Sequence, residues 1–204
     1  MFELSIPKTA LVIVDMQNDF VREGAPMKVD DAKATIEPTQ RLIEFARKNH
    51  MPVIFTKFLI GPRKTFLWGW SSQAEEFQNC LRNHERYYPD IDRKEQCSDV
   101  IDELKPILPE DYIIEKYGYS AFHNTNLVDV LISEGRDTII VTGTVTQICV
   151  GDTVHDAFHH AILSVVASDC VSSFSELQQK ASLENFARKY GVVMTSDEIM
   201  KEFK

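Results

Sequence analysis

Three side chains of complementary chemistry each follow a short apolar run of the sequence: Asp15, Lys116 and Cys149. A thiol at the start of a helix is favoured in its ionised form by the helix dipole and the unpaired N–H groups, which can also hold an oxyanion. A carboxylate beside the thiol can take its proton and later give it to a leaving amine. An ammonium group would keep that carboxylate ionised. Together the three groups could carry out acyl transfer, a chemistry that requires no metal and no other cofactor.

Each of these residues also has a plain structural explanation. A buried cysteine is usually inert, an aspartate after a strand often caps a turn, and a lysine at a strand end is usually solvated. The functional interpretation therefore depends on whether the three groups meet at one place. Cys170 is a competing thiol, but no helix begins directly after it, so we interpret it as structural. Cys80 and Cys97 carry no partner motif, and the absence of a C-x-x-C pair favours free thiols in the cytoplasm.

Strands and helices that could position these groups alternate along the chain. Short runs rich in valine and isoleucine predict strands buried on both faces, as in a parallel sheet. The predicted strands are Ala10–Val14, Val53–Leu59, Tyr112–Ile114, Thr138–Val141, Ile162–Ala167 and Val192–Met194. Apolar residues at helical spacing predict four helices between them, around residues 36–46, 127–131, 150–161 and 183–190.

This alternation predicts one α/β domain, residues 1–204, with a doubly wound parallel sheet in three layers. Such sheets bind ligands beyond the carboxyl ends of their strands, so Asp15, Lys116 and Cys149 should share one face. Residues 60–110 interrupt the pattern, because α/β connections usually have roughly 2–6 residues. Long ordered loops often form lids or subunit contacts. The alternative, that the aromatic residues of this segment simply pack it down, remains open.

Composition disfavours several classes of function. The chain has 204 residues, of which 44% are hydrophobic and 26% charged, as in ordinary globular proteins. A formal net charge of −9 opposes binding to nucleic-acid phosphates and to anionic lipid, so we expect neither partner. The first apolar run ends at Asp15, far short of the roughly 20 residues of a membrane span. The same run is too short for the core of a secretion signal.

Four motifs occur in a fixed order along the chain. They are Leu11-Val-Ile-Val-Asp-Met-Gln-Asn-Asp-Phe20, Glu115-Lys116 followed by Tyr119-Ser-Ala-Phe122, Thr142-Gly-Thr-Val-Thr-Gln-Ile-Cys-Val150, and Thr153 followed by Asp156-Ala157. With them the chain resembles the isochorismatase-like cysteine hydrolases over nearly its whole length. The resemblance implies a six-stranded parallel sheet of order 3-2-1-4-5-6 and a catalytic triad of Asp15, Lys116 and Cys149.

The resemblance also implies a cis peptide bond between Thr144 and Val145, with the N–H groups of Val145 and Cys149 directed at an oxyanion. In the implied strand order, the strand of Lys116 lies two places from that of Asp15, roughly 10 Å away. The lysine side chain must therefore bridge inward, or its loop must fold back.

The segment after the second strand departs from the nicotinamidases of this family, which bind a metal through Asp-x-His and a further histidine. Residues 56–66 contain no histidine, so we expect no metal site, and nicotinamidase activity is disfavoured. His155 and His159 have a spacing that can bind zinc, but no H-E-x-x-H motif accompanies them. A partly exposed helix face is the simpler explanation for this pair.

The presence of Cys149 favours cleavage of a C–N bond, since relatives that cleave the vinyl ether of isochorismate need not keep the cysteine. The resemblance thus implies hydrolysis of a small amide, for example an N-carbamoyl compound, ureidoacrylate or biuret, through a thioester. A vinyl-ether hydrolase and a non-catalytic binding scaffold remain alternatives. A nucleotide-binding module is disfavoured, because neither G-x-G-x-x-G nor a P-loop motif occurs.

Aromatic residues near the motifs are the predicted substrate contacts: Phe20, Trp68, Trp70, Tyr119 and Phe122. Ordinary packing explains aromatic residues at these positions at least as well. An aromatic lining would suit a small, planar or apolar amide. Because the family is usually oligomeric, we also expect a homodimer or homotetramer.

Overall fold

The computed structural model describes residues 3–60 and 79–203. The strands in this part of the chain are β1 (Thr9–Val14), β2 (Val53–Phe58), β3 (Glu85–Tyr88), β4 (Arg93–Gln96), β5 (Tyr112–Lys116), β6 (Thr138–Thr144), β7 (Leu163–Ser172) and β8 (Gly191–Met194). The helices are α1 (Asn18–Val21), α2 (Ile36–Lys48), α3 (Leu127–Ser133), α4 (Gly151–His159), α5 (Glu176–Lys189) and α6 (Ser196–Glu202). None of these helices is long and apolar enough to cross a membrane.

Six of the strands form one parallel sheet in the order β5-β2-β1-β6-β7-β8. When the separate hairpin β3–β4 is left out of the numbering, this order is 3-2-1-4-5-6, so the predicted topology is confirmed. The central strand β1 is fully buried. Its pairing partners place Ile13 beside Phe55 on one side and beside Thr142 on the other.

Helices cover both faces of the sheet, as the three-layer prediction requires. Alternate residues of β1 point to opposite faces. Leu11 and Ile13 belong to a core cluster shared with α2 and α6, whereas Val12 belongs to one shared with α3, α4 and α5. The continuous apolar sequence of β1 thus reflects burial on both faces.

Strands β5, β6 and β7 continue beyond their predicted carboxyl ends, and the observed ends of β5 and β7 correct the position of two residues. Lys116 is the last residue of β5, paired with Phe58 of β2, and does not lie in a loop after the strand. Cys170 lies inside β7 and not at its end, because this strand continues to Ser172. The carboxylate of Asp169 next to it accepts hydrogen bonds from Ser196 at the start of α6. Cys170 is fully buried, which agrees with a structural role.

The described part of the long excursion, residues 79–110, contains the β3–β4 hairpin and then a segment that docks beside the end of β1. Backbone N–H groups of Asn18 and Asp19 donate to carbonyl groups of Asp99 and Cys97. The buried Asp19 carboxylate accepts hydrogen bonds from Tyr88 (2.8 Å), from the Nε of Arg86 (2.9 Å) and from the backbone N–H of Cys80 (2.9 Å). The excursion is therefore attached to the loop that follows Asp15.

Candidate active site

Asp15 directly follows β1 and is fully buried, with a left-handed backbone conformation (φ 51°). Val14 before it pairs with Gly143 of β6, which has a φ of +103°. A Cβ atom at position 143 would lie 2.0 Å from the Val14 carbonyl oxygen. Only glycine therefore allows β6 to approach the end of β1, and this approach brings the Cys149 segment beside Asp15.

Lys116 reaches Asp15 across the intervening strand β2. Its Nζ donates to Asp15 Oδ2 at 2.6 Å and to the carbonyl oxygens of Tyr119 (2.9 Å) and Gly118 (3.2 Å). On the way the side chain passes over the ring of Phe58, whose centre is 5.3 Å from Nζ. Both members of the ion pair are fully buried. The separation between the strands is thus bridged by the lysine side chain itself.

Thr56 of β2 also contacts Asp15. The Thr56 hydroxyl accepts a hydrogen bond from the Asp15 N–H at 3.1 Å and donates one to Asp15 Oδ1 at 2.5 Å. Thr56 and Phe58 were not predicted as site residues. Their signal is the two-residue period of a strand, which places positions 56 and 58 on one face of β2, between the strands of Asp15 and Lys116.

Cys149 lies in a π-helical turn, Thr146–Val150, that leads into α4. The thiol interacts electrostatically with the Asp15 carboxylate and the Lys116 ammonium group, and the residue is only 3% exposed. Its carbonyl oxygen accepts a hydrogen bond from the Thr153 hydroxyl at 2.7 Å. The same hydroxyl accepts one from the backbone N–H of Ala121, which ties the segment after Lys116 to this helix.

The charges of the site favour a protonated thiol when no substrate is bound. Burial raises the pKa of Cys149, and although the Lys116 charge opposes this, Asp15 raises it further. The expectation that the helix start lowers the thiol pKa is therefore wrong for the resting site. Burial alone would lower the pKa of Lys116, but the charges of Asp15 and Cys149 more than compensate, and the net shift is upward. The site thus holds an ammonium ion and a thiol that needs a base.

The loop between β6 and the π-helical turn contains the expected cis peptide bond, Thr144–Val145. Val145 is buried, and its N–H finds no acceptor among residues 3–60 and 79–203. Its carbonyl oxygen accepts hydrogen bonds from Ile148 and Val150, which closes the turn that carries Cys149. A backbone donor that has no acceptor within the described residues therefore lies four residues before the thiol.

The predicted aromatic contacts separate into two groups. Phe20 and Tyr119 both pack on Phe58, with ring centres 6.2 Å apart in each pair, next to the Lys116 side chain. Phe122 stacks on His160 instead, at 5.2 Å. Trp68 and Trp70 lie outside the described residues.

The described residues contain no group of three histidine, cysteine, aspartate or glutamate side chains placed to hold a metal ion. The His155 ring packs against Tyr190 at 4.3 Å and Phe186 at 5.9 Å. His159 makes an edge contact with Phe158. The two histidines therefore take part in an aromatic cluster between α4 and α5.

The fold and the site together define a class, that of doubly wound α/β proteins with a buried cysteine, aspartate and lysine at the carboxyl ends of parallel strands. The profile of the isochorismatase domain matches residues 9–198, and the chain belongs to the isochorismatase family. It is 30% identical to the ureidoacrylate amidohydrolase of Pseudomonas savastanoi over 207 residues, which cover 96% of this chain and 84% of that protein.

Solved structures show the same fold. A cysteine hydrolase from Pseudomonas syringae pv. phaseolicola superimposes with a TM-score of 0.85 and 26% identity, covering 99% of this chain and 95% of that one. The N-carbamoylsarcosine amidase from Thermoplasma acidophilum gives a TM-score of 0.76 and 29% identity, covering 93% of this chain and 97% of that one.

Proposed function

We propose that this protein hydrolyses a C–N bond in a small amide or N-carbamoyl compound, with Cys149 as the nucleophile. The observation that carries this proposal is the buried contact between Lys116 and Asp15 beside the Cys149 thiol. Two relatives support the bond type, since one is named as an amidohydrolase and the other as an amidase.

In the proposed acylation, Asp15 takes the proton of the Cys149 thiol as the sulfur attacks the carbonyl carbon. The carbonyl π electrons move to oxygen, and the N–H groups of Val145 and Cys149 stabilise the resulting oxyanion. When the oxyanion collapses, the C–N bond breaks and Asp15 gives its proton to the leaving nitrogen. Acylation therefore ends with a thioester on Cys149 and a released amine or ammonia.

In the proposed deacylation, Asp15 removes a proton from water as the water oxygen attacks the thioester carbon. The C–S bond then breaks, the acid product leaves, and the Cys149 sulfur takes the proton back from Asp15. Lys116 transfers no proton in this scheme. Its charge offsets that of Asp15, and its raised pKa keeps it an ammonium ion throughout.

The raised pKa of Cys149 fits this sequence of steps, because the proton leaves the thiol only as the bond to carbon forms. A permanently ionised thiol would react with other electrophiles in the cell.

Phe20, Tyr119 and Phe122, together with Trp68 and Trp70, remain the proposed substrate contacts, and Phe58 joins them through its ring contacts. We further propose that the protein acts in the cytoplasm, which is supported by its four free, buried cysteines. We also propose that it forms a homodimer or a homotetramer.

Ammonia release from a panel of small amides, ureides and N-carbamoyl amino acids tests the proposed function. We expect one class of compound to be hydrolysed by the wild type and not by Cys149→Ala. Cys170→Ala is the matched control, because it removes another buried thiol outside the site and should keep turnover. A chemical trap with hydroxylamine should intercept the thioester. Equal turnover in wild type and Cys149→Ala would overturn the proposal.

A further inference from the structure

Thr56 occupies the strand between the two charged residues of the site. Through the register of β2, the neighbouring Phe55 pairs with Ile13 of β1, and Thr56 itself pairs with Ile114 of β5. Asp15 lies two residues beyond Ile13, and Thr56 is fully buried beside it. Thr56 can therefore act on the carboxylate from a fixed strand.

The hydrogen bonds of the Thr56 hydroxyl show which oxygen its proton points to. Its oxygen accepts from the Asp15 N–H at 3.1 Å, so its own proton is free for Asp15 Oδ1 at 2.5 Å. The other carboxylate oxygen, Oδ2, accepts from Lys116 at 2.6 Å. Each oxygen of Asp15 thus has its own buried donor, and the Asp15 backbone is tied to the same hydroxyl.

We propose that Thr56 is a positioning residue for Asp15: it fixes the orientation of the carboxylate toward Cys149. This inference rests on the proposed function, in which Asp15 is the general base. A hydrogen bond to a carboxylate is short and directional, so a donor on a fixed strand holds the carboxylate in one orientation. Loss of the Thr56 donor should therefore slow the proton transfer from Cys149 to Asp15, while substrate binding is unchanged because Thr56 acts only through Asp15.

The test compares Thr56→Val, which has nearly the same volume and no hydroxyl, with Thr56→Ser, which restores the hydroxyl. Thr9→Val is the matched control, since Thr9 is a buried threonine at the opposite end of β1 whose hydroxyl donates to the Ser5 carbonyl oxygen at 2.8 Å. The values of kcat and KM are measured separately for each variant at one pH. The rate of Cys149 alkylation by iodoacetamide, followed by peptide mass spectrometry, is measured in parallel and needs no substrate.

We expect Thr56→Val to lower both kcat and the rate of Cys149 alkylation by about tenfold. KM should stay within about twofold, Thr56→Ser should restore both rates, and Thr9→Val should leave them unchanged. Rates that coincide in Thr56→Val and the wild type would overturn the positioning role, even if Thr56→Val is less stable. If no amide is hydrolysed by the wild type, the proposed function fails, and the alkylation rate still decides the role of Thr56.

Discussion

Phe58 and Lys116 are register partners on β2 and β5, and the centre of the Phe58 ring lies 5.3 Å from the Lys116 Nζ. The face of an aromatic ring attracts a cation, so the ring supports the ammonium group on its path to Asp15. The strand that separates the two charged residues thus supplies the surface that joins them. Three carbonyl or carboxylate oxygens then complete the hydrogen bonds of Nζ.

Replacing Lys116 by methionine keeps most of the side chain and removes its charge, so the Asp15 carboxylate stays buried without its cation. Breaking a buried ion pair in this way costs about 3–5 kcal/mol. We expect a loss of that size in the free energy of unfolding by urea, together with loss of turnover. Lys105→Met is the control, because its pair with Asp102 is exposed and should contribute less than about 1 kcal/mol. Equal stability of Lys116→Met and the wild type would contradict the expectation.

Gly143→Ala should disturb the site through the backbone. The new Cβ would lie 2.0 Å from the Val14 carbonyl oxygen, so β1 and β6 must separate where Asp15 begins. We expect a loss of about 3 kcal/mol or more in unfolding free energy, and lost turnover in any folded fraction. Gly135→Ala is the matched control: it also has a positive φ (+66°), but nothing lies within 4 Å of its Cβ position, so about 1 kcal/mol is expected. Similar losses of unfolding free energy in the two variants would contradict this expectation. They would show that the backbone φ angle, and not the contact with the Val14 carbonyl oxygen, requires glycine at position 143.

The buried thiols predict that stability falls at alkaline pH. Burial raises the pKa of Cys170 above its ordinary value of 9.0, and the same cause raises that of Cys97 to about 12. Above about pH 9 the unfolded chain releases these protons while the folded protein keeps them, so the unfolded state binds fewer protons and stability declines. The stabilisation by these protonated thiols is complete below pH 9. It is lost as the pH rises toward the pKa values that the thiols have in the folded protein.

Each such thiol should contribute about 1.4 kcal/mol per pH unit to this decline. Urea unfolding of Cys170→Ala and the wild type, with reductant, at pH 7.5, 9 and 10.5 measures it. At pH 7.5 the difference in unfolding free energy between the wild type and Cys170→Ala gives the cost of the cavity. We expect this difference to become smaller at higher pH, because only the wild type loses stability through the Cys170 thiol. A constant difference across the three pH values would count against the prediction.

The alternation of apolar runs and helical patterns was sufficient to predict a parallel α/β sheet, whereas its strand order came only from the family resemblance. The common carboxyl edge of such a sheet is the physical reason why side chains that follow different strands lie near one another. The sequence was not sufficient for Thr56, whose role depends on the pairing register of β2. A threonine in a strand has no local pattern that distinguishes a packing residue from one that bonds a carboxylate. The direction of the thiol pKa was also wrong, since burial and a neighbouring carboxylate outweigh the helix start.

The attachment of the β3–β4 hairpin through Asp19 has a consequence for how the molecule can be altered. The hairpin pairs with no strand of the six-stranded sheet in the described part of the chain, and Asp19 on the short helix α1 accepts three hydrogen bonds from the segment that carries it. Segments of different sequence that keep Arg86 and Tyr88 as donors to Asp19 could therefore be exchanged between Cys80 and Cys97 while the pairing of the six-stranded sheet stays unchanged. Such a modular plan lets the hairpin change in sequence while the elements that carry Asp15, Lys116 and Cys149 keep their pairing, and it makes the hairpin a natural place for library-based redesign.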